Sequence, residues 1–248
     1  MENRNLLGFE KSFKMSKQTL LSNRFLLGIS KQQVPKNSLF VICEGLGMEE
    51  CHLDLLMDNL PNADVVHFGF EENQSGCIYK VYLEYCVNYN RGKITKPTLI
   101  HMAFKWNSSN DESGTIANYT YYPKLSTASI VDRLTAIYSS ATDKSSFKIA
   151  QDIINAATAY VEADDLMYME VSEEGNLRLS FDINVYEANI RLSDIKVYLF
   201  RMRQHFSISE REFEPWYSKI KDSQFGHLSG GIDRDGNDFF TVYYEPVP

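Results

Sequence analysis

The sequence predicts a single α+β domain of antiparallel β-hairpins with amphipathic helices between them. Three observations predict it. Runs of strictly alternating apolar and polar residues come in pairs, the members of each pair flank a turn-forming connector, and stripes at helical spacing fill the intervals.

In chain order, residues 1–36 carry seven cationic side chains (Arg4, Lys11, Lys14, Lys17, Arg24, Lys31 and Lys36) against Glu2 and Glu10. That local surplus reads as a basic N-terminal arm or helix, ahead of one domain over 37–248. SLFVIC (38–43) is the first strand candidate, and Leu53, Leu56, Met57 and Leu60 make a helical stripe after it. The first hairpin is ADVVHFGF, EENQSG, CIYKVYLEY (63–85), and the second is LIHMAFKW, NSSNDESG, TIANYTYY (99–122). Gly, Asn, Asp and Ser in the connectors tolerate tight and left-handed turns. Ile130, Val131, Leu134 and Ile137 begin a second helical stretch, continued by Phe147, Ala150, Ile154, Ala157 and Val161. A third hairpin, LMYMEV, SEEGN, LRLSFDINVY, spans 166–186. Ser193 is placed as an N-cap for Ile195, Leu199, Met202 and Phe206, and Ser209 with Glu212 forms a capping box before Phe213, Trp216 and Ile220. Pro215 falls late enough in that helix to suggest a kink. The last hairpin, FGHLSGGI, DRDGND, FFTVYYE (225–245), resembles the first, with Val242, Tyr243 and Glu245 falling on Val81, Tyr82 and Glu84. Its aspartates fit an Asp-Gly turn better than a calcium loop. About eight strands result.

Side chains alternate across a strand, so each run sorts into two faces. Tyr79, Val81, Leu83 and Tyr85 oppose Lys80, Tyr82 and Glu84. Leu179, Phe181, Ile183 and Val185 oppose Arg178, Ser180, Asp182, Asn184 and Tyr186. Ile100, Met102, Phe104 and Trp106 oppose His101 and Lys105, with Asn118, Thr120 and Tyr122 assigned to the polar side of the return strand. Phe240, Val242 and Tyr244 oppose Thr241, Tyr243 and Glu245, while His227 and Ser229 oppose Leu228. Two architectures fit. An open two-layer sandwich would give the polar face to water. Antiparallel hairpins closing into a barrel with surrounding helices would turn it inward as a polar lumen. Tyrosine density favours the lumen.

The totals bound the function. A net charge of −8 excludes a general nucleic-acid binder. No apolar stretch is long enough for a membrane span, and the first residues lack the layout of a secretory signal. Cys43, Cys51, Cys77 and Cys86 show neither zinc-ligand spacing nor a disulfide framework, so a cytoplasmic protein with reduced, mostly core thiols is expected.

VVHFGFEENQSGCIYKVYLEY, with Lys-x-Tyr on its second strand, resembles the PT-barrel (ABBA) aromatic prenyltransferases, particularly the cyanobactin peptide prenyltransferases. SFDINVY and TVYYE are similar to that group's later strands, and VICEGLGMEE to the segment bearing its acidic catalytic residue. The resemblance implies transfer of an isoprenoid from an allylic diphosphate to an aromatic small molecule or peptide side chain. It further implies Lys80 and Tyr82 on the diphosphate, Tyr186 and Tyr243 shielding the cation, and Glu50 as base ahead of Glu44 and Glu49. From the faces alone, Lys105 and Arg178 add positive charge, and His101 and His227 add donors. Glu84, Asp182 and Glu245 make the polar face near neutral, which leaves room for Mg²⁺ bridging a diphosphate to carboxylates. The alternative is a non-catalytic protein that holds a peptide or small ligand in the same cavity.

Overall fold

Ten antiparallel strands close on themselves in this computed structural model, which describes residues 6–73, 76–85, 94–107 and 114–247. Cys86, parts of the first two hairpin connectors, and Glu2 and Arg4 of the basic segment lie outside the described residues. The strands are β1 (Leu6–Ser16), β2 (Thr19–Ser30), β3 (Val65–Asn73), β4 (Gly76–Glu84), β5 (Thr98–Asn107), β6 (Thr115–Tyr121), β7 (Met167–Glu173), β8 (Leu179–Asn184), β9 (Phe225–Ile232) and β10 (Asp238–Val247). Each pairs with its chain neighbour, and β1 pairs with β10 to seal the sheet. The open sandwich is therefore excluded, and closure leaves no edge strand.

Six helices pack outside: α1 (Lys36–Gly45), α2 (Glu50–Asn59), α3 (Thr127–Ile137), α4 (Ser145–Ala157), α5 (Lys196–His205) and α6 (Glu210–Ile220). Leu39, Cys43, Leu53 and Leu56 of α1 and α2 bury against Val66, Val81, Leu83, Phe104 and Trp106 of β3–β5. The other four helices share a larger core with Phe13, Phe181, Ile183, Leu228, Phe240 and Val242. At roughly 1.5–3 kcal/mol for each such buried side chain, these apolar outer faces hold the helices on. Among the described residues, no helix is long and apolar enough to cross a membrane.

The structure departs from four of the expectations. Residues 6–30 are neither arm nor helix. They form β1 and β2, with Phe13 and Met15 fully buried outside and Ser12 and Arg24 buried inside, so alternation outweighs the charge surplus. The strand candidate SLFVIC is helix α1, whose buried pair Leu39 and Cys43 stands four apart, as an apolar run of this length permits. On β6 the inward residues are Thr115 and Tyr119, while Tyr122 faces outward under the Arg133 guanidinium, 3.5 Å from its ring centre. Ser193 is not the α5 cap, which falls on Ile195. Ser209 does cap α6 by accepting from the Glu212 N–H, and Pro215 lies inside that helix. In the last hairpin, Asp233 accepts from the Asp235 and Asn237 N–H groups, so the aspartates build a turn. Of the described cysteines, all free, only Cys43 is buried.

Candidate active site

Two cavities, of about 390 Å³ and about 610 Å³, occupy the barrel and share a collar of three tyrosines: Tyr82 of β4, Tyr119 of β6 and Tyr243 of β10. Burial raises the pKa of all three, so they stand as neutral hydroxyls and ring faces. Tyr82 and Tyr119 meet edge to face at 5.9 Å. The resemblance of the first and last hairpins is thus realised in space, since Tyr82 and Tyr243 both reach the collar. Glu245 does not follow Glu84 inward. The β9–β10 register shifts beside it, its φ is 54°, and it turns out to Lys11 and Ser223.

The smaller cavity is cationic. Lys14, Arg24, Lys80, Lys105, Arg178 and Arg234 line it. Two carboxylates serve them: Glu71 binds Arg24 and, at 2.8 Å, Lys80, while Glu173 binds Arg178, Lys105 at 3.1 Å and Arg234 at 3.3 Å. Register causes the crowding. Lys80 lies directly opposite Lys105 across β4 and β5, a like-charge pairing that a sheet ordinarily avoids. Gly69, opposite Lys80, makes room: a Cβ there would stand 3.1 Å from Lys80 Cβ and 3.4 Å from the Tyr82 ring.

The titration behaviour records the imbalance. Burial, with Arg24 adding repulsion and Glu71 only partly offsetting it, lowers Lys80 to about 8. Burial and the nearby Arg178 push Lys105 well below the ordinary lysine value, and burial likewise lowers Lys14. Burial opposes ionisation of Glu71 and Glu173 too, but their cationic neighbours outweigh it, holding Glu71 well below the carboxylate range and Glu173 at about 2. An enclosed site with six cations and two carboxylates is built to receive an anion.

The larger cavity balances its charges differently. His227 sits between Asp182 at 2.9 Å and Glu10 at 3.1 Å, with its ring stacked on Tyr243 at 3.7 Å. Burial would lower His227, but Asp182 and then Glu10 raise it to about 10, so it is an imidazolium at neutral pH. On the other wall, His67 Nε2 lies 2.6 Å from Glu84 Oε2, and His101 lies beside them. Burial lowers His101 to about 4 and keeps it neutral. Leu26, Val65, Met167 and Met169 supply apolar lining.

Among the residues named from sequence, Lys80, Lys105 and Arg178 meet in the cationic cavity, with Tyr82 and Tyr243 at its collar. His227, His101 and Tyr186 belong to the other cavity, so Tyr186 does not join the tyrosine collar. Glu50 is corrected: it is the exposed first residue of α2 and lines neither cavity, a position that a carboxylate favours through the helix dipole. Sequence reading missed Glu10, Lys14 and Arg24 because their strands were taken for a basic arm. The inward positions of Glu10 and Lys14 follow from the alternation of Phe13 and Met15 with Glu10, Ser12 and Lys14 on β1, and Arg24 reaches the same interior from β2. The expected neutrality of the polar face fails because Glu84 and Asp182 lie beyond the collar and Glu245 lies outside. Glu71 and Glu173 are already engaged by five cations between them, so this donor set does not suit a bridging Mg²⁺.

No protein-family model matches the sequence, and no curated protein matches it. Solved structures do. The prenyltransferase PriB in its complex with product diphosphate aligns with a TM-score of 0.66 at 10% identity, over 96% of this chain and 79% of that one. The 5-dimethylallyltryptophan synthase from Streptomyces coelicolor gives 0.64 at 10% identity, over 96% and 80%. The 6-dimethylallyltryptophan synthase from Micromonospora olivasterospora, in complex with DMASPP and Trp, gives 0.63 at 11% identity, over 96% and 81%. The closed antiparallel sheet with helices outside is therefore a PT barrel. That is the fold of the aromatic prenyltransferases, as the hairpin motifs led us to expect.

Proposed function

We propose that this protein transfers an isoprenoid group from an allylic diphosphate to an aromatic acceptor. The observation that carries the reading is the cationic cavity, which shares a tyrosine collar with a second cavity bearing carboxylates. Lys14, Arg24, Lys80, Lys105 and Arg178 bind the diphosphate, and Arg234 sits at the mouth, 46% exposed. Their fixed charges stabilise the leaving group as its C–O bond breaks, and stabilise it most when its charge is fully developed. The allylic cation then lies among Tyr82, Tyr119 and Tyr243, whose ring faces contribute roughly 0.5–2 kcal/mol each and keep water away. The aromatic acceptor attacks from the larger cavity and loses a proton. Glu10 takes it: one imidazolium neutralises only one of the two carboxylates that hold it, leaving a negative charge facing the acceptor.

The test is incubation with dimethylallyl diphosphate and a panel of indoles, phenols and aromatic peptides, scored by product mass and by released diphosphate. Acceptor-dependent release, lost in Lys80→Ala and reduced in Glu10→Gln, is expected. Tight binding of the unreactive thiolodiphosphate with no release for any acceptor would instead make the barrel a non-catalytic binding protein.

A further inference from the structure

The larger cavity holds a second constellation that the transfer chemistry above does not use. His67 of β3, Glu84 of β4 and His101 of β5 point inward from three adjacent strands. Glu84 is directly opposite His101, and His67 is opposite Tyr82, one inward position along β4 from Glu84. One ligand-capable atom from each lies within 4.8 Å of the others, and His67 Nε2 is 2.6 Å from Glu84 Oε2. The two imidazole rings stand 6.1 Å apart, edge to face at 70°, and are not stacked. The neighbouring strand is cut away to seat this arrangement, since a Cβ on Gly28, opposite His67, would stand 3.0 Å from His67 Nδ1. A simple ion pair needs one imidazole, whereas this wall supplies two.

We infer that His67, Glu84 and His101 form a binding site for a divalent transition-metal ion inside the larger cavity. Two imidazoles and one carboxylate on one side of an ion are a donor set for Zn²⁺, Fe²⁺ or Co²⁺, whereas Mg²⁺ and Ca²⁺ prefer oxygen donors throughout. Ligand atoms about 2.1 Å from a shared ion lie at most about 4.2 Å apart, so small side-chain rotations close the set. The strands fix the ligands' origins, and the coordination positions left over face the cavity. Glu49, Cys51 and His52 make a second cluster of metal-capable side chains near the start of α2, but two of the three are exposed on the surface. That cluster serves as the internal control.

Metal binding is read directly, without any transferase assay, so it stands or falls separately from the proposed reaction. Chelator-treated His52→Ala protein, which lacks the surface cluster, is titrated with Co²⁺ and followed by visible ligand-field absorption. Zn²⁺ is then titrated by calorimetry. The expected result is a single saturable site, weakened at least about tenfold by His101→Ala and by Glu84→Gln. Circular dichroism checks that each variant is folded, and if one is not, the other carries the comparison. The inference is overturned if His52→Ala protein shows no saturable Co²⁺ site, or if a folded His101→Ala or Glu84→Gln variant binds Co²⁺ as its parent does.

Discussion

The two cavities of one barrel handle buried charge in opposite ways. Beyond the collar, His227 is satisfied on both sides by Asp182 and Glu10, and its pKa rises to about 10 because the folded protein rewards the proton. On the near side, Lys80 falls to about 8 and Lys105 lower still, because the folded protein penalises theirs. Both groups are deeply enclosed, so burial alone does not separate them. The count of counter-charges does. A fold that carries buried cations it has not neutralised marks the place where a ligand brings the missing anion.

The sharpest way to break that contrast is to remove a cation that is paired. Arg24 and Glu71 are 5% and 7% exposed, so Arg24→Ala should cost ~3–5 kcal/mol in urea unfolding, by stripping Glu71 of a partner. A loss below about 1 kcal/mol would mean that Lys14 and Lys80 suffice to hold Glu71. His227→Gln sharpens the other side, with an effect of comparable size. A histidine raised from 6.5 to about 10 on folding stabilises fully below pH 6.5, and that stabilisation is lost as pH climbs through about 10. The stability gap between parent and His227→Gln should therefore narrow across that window, by up to roughly 1.4 kcal/mol per pH unit. A gap independent of pH would contradict the doubly paired imidazolium. Lys80→Ala should be milder still for stability, within ~1 kcal/mol, because losing its pairing with Glu71 is offset by relief from burial and from repulsion by Arg24. Its effect should instead appear in anion affinity. Arg201→Ala is the control. Its partner Asp152 and Arg201 itself are 40% and 38% exposed, so the expected change is under about 1 kcal/mol and shrinks in salt.

Much of this was legible in the sequence, for a definite reason. Period-two alternation in 63–85, 99–122, 166–186 and 225–245 reports which side of each strand is buried, and it found eight of the ten strands. It also set Lys80, Lys105, Arg178, Tyr82 and Tyr243 on the face that became the cavity wall. The failures share a cause, which is competition between two local signals. In β1 the cationic side chains hid the alternation of the buried Phe13 and Met15 with Ser12 and Lys14. In α1 the five-residue apolar run Leu39–Cys43 carried no periodicity to separate helix from strand. Tyr119 was missed because tyrosine counts as either face, and Asn118 beside it looked more polar. Closure is not a local property. It depends on β1 reaching β10, so the pattern permitted it without dictating it. The division of the lumen into a cationic and a histidine-carboxylate half depends on how far along each strand a residue sits. Face assignment alone says nothing about that.

Calorimetric titration of the intact protein with inorganic diphosphate, from pH 7 to above pH 9, tests most directly whether the unneutralised cations form an anion site. Because the bound anion favours protonated Lys80, affinity should hold below about pH 8 and weaken above it, and Lys80→Ala should lose at least tenfold at pH 7 with little change in melting temperature. No measurable diphosphate binding, or binding that ignores both pH and Lys80, would contradict the account.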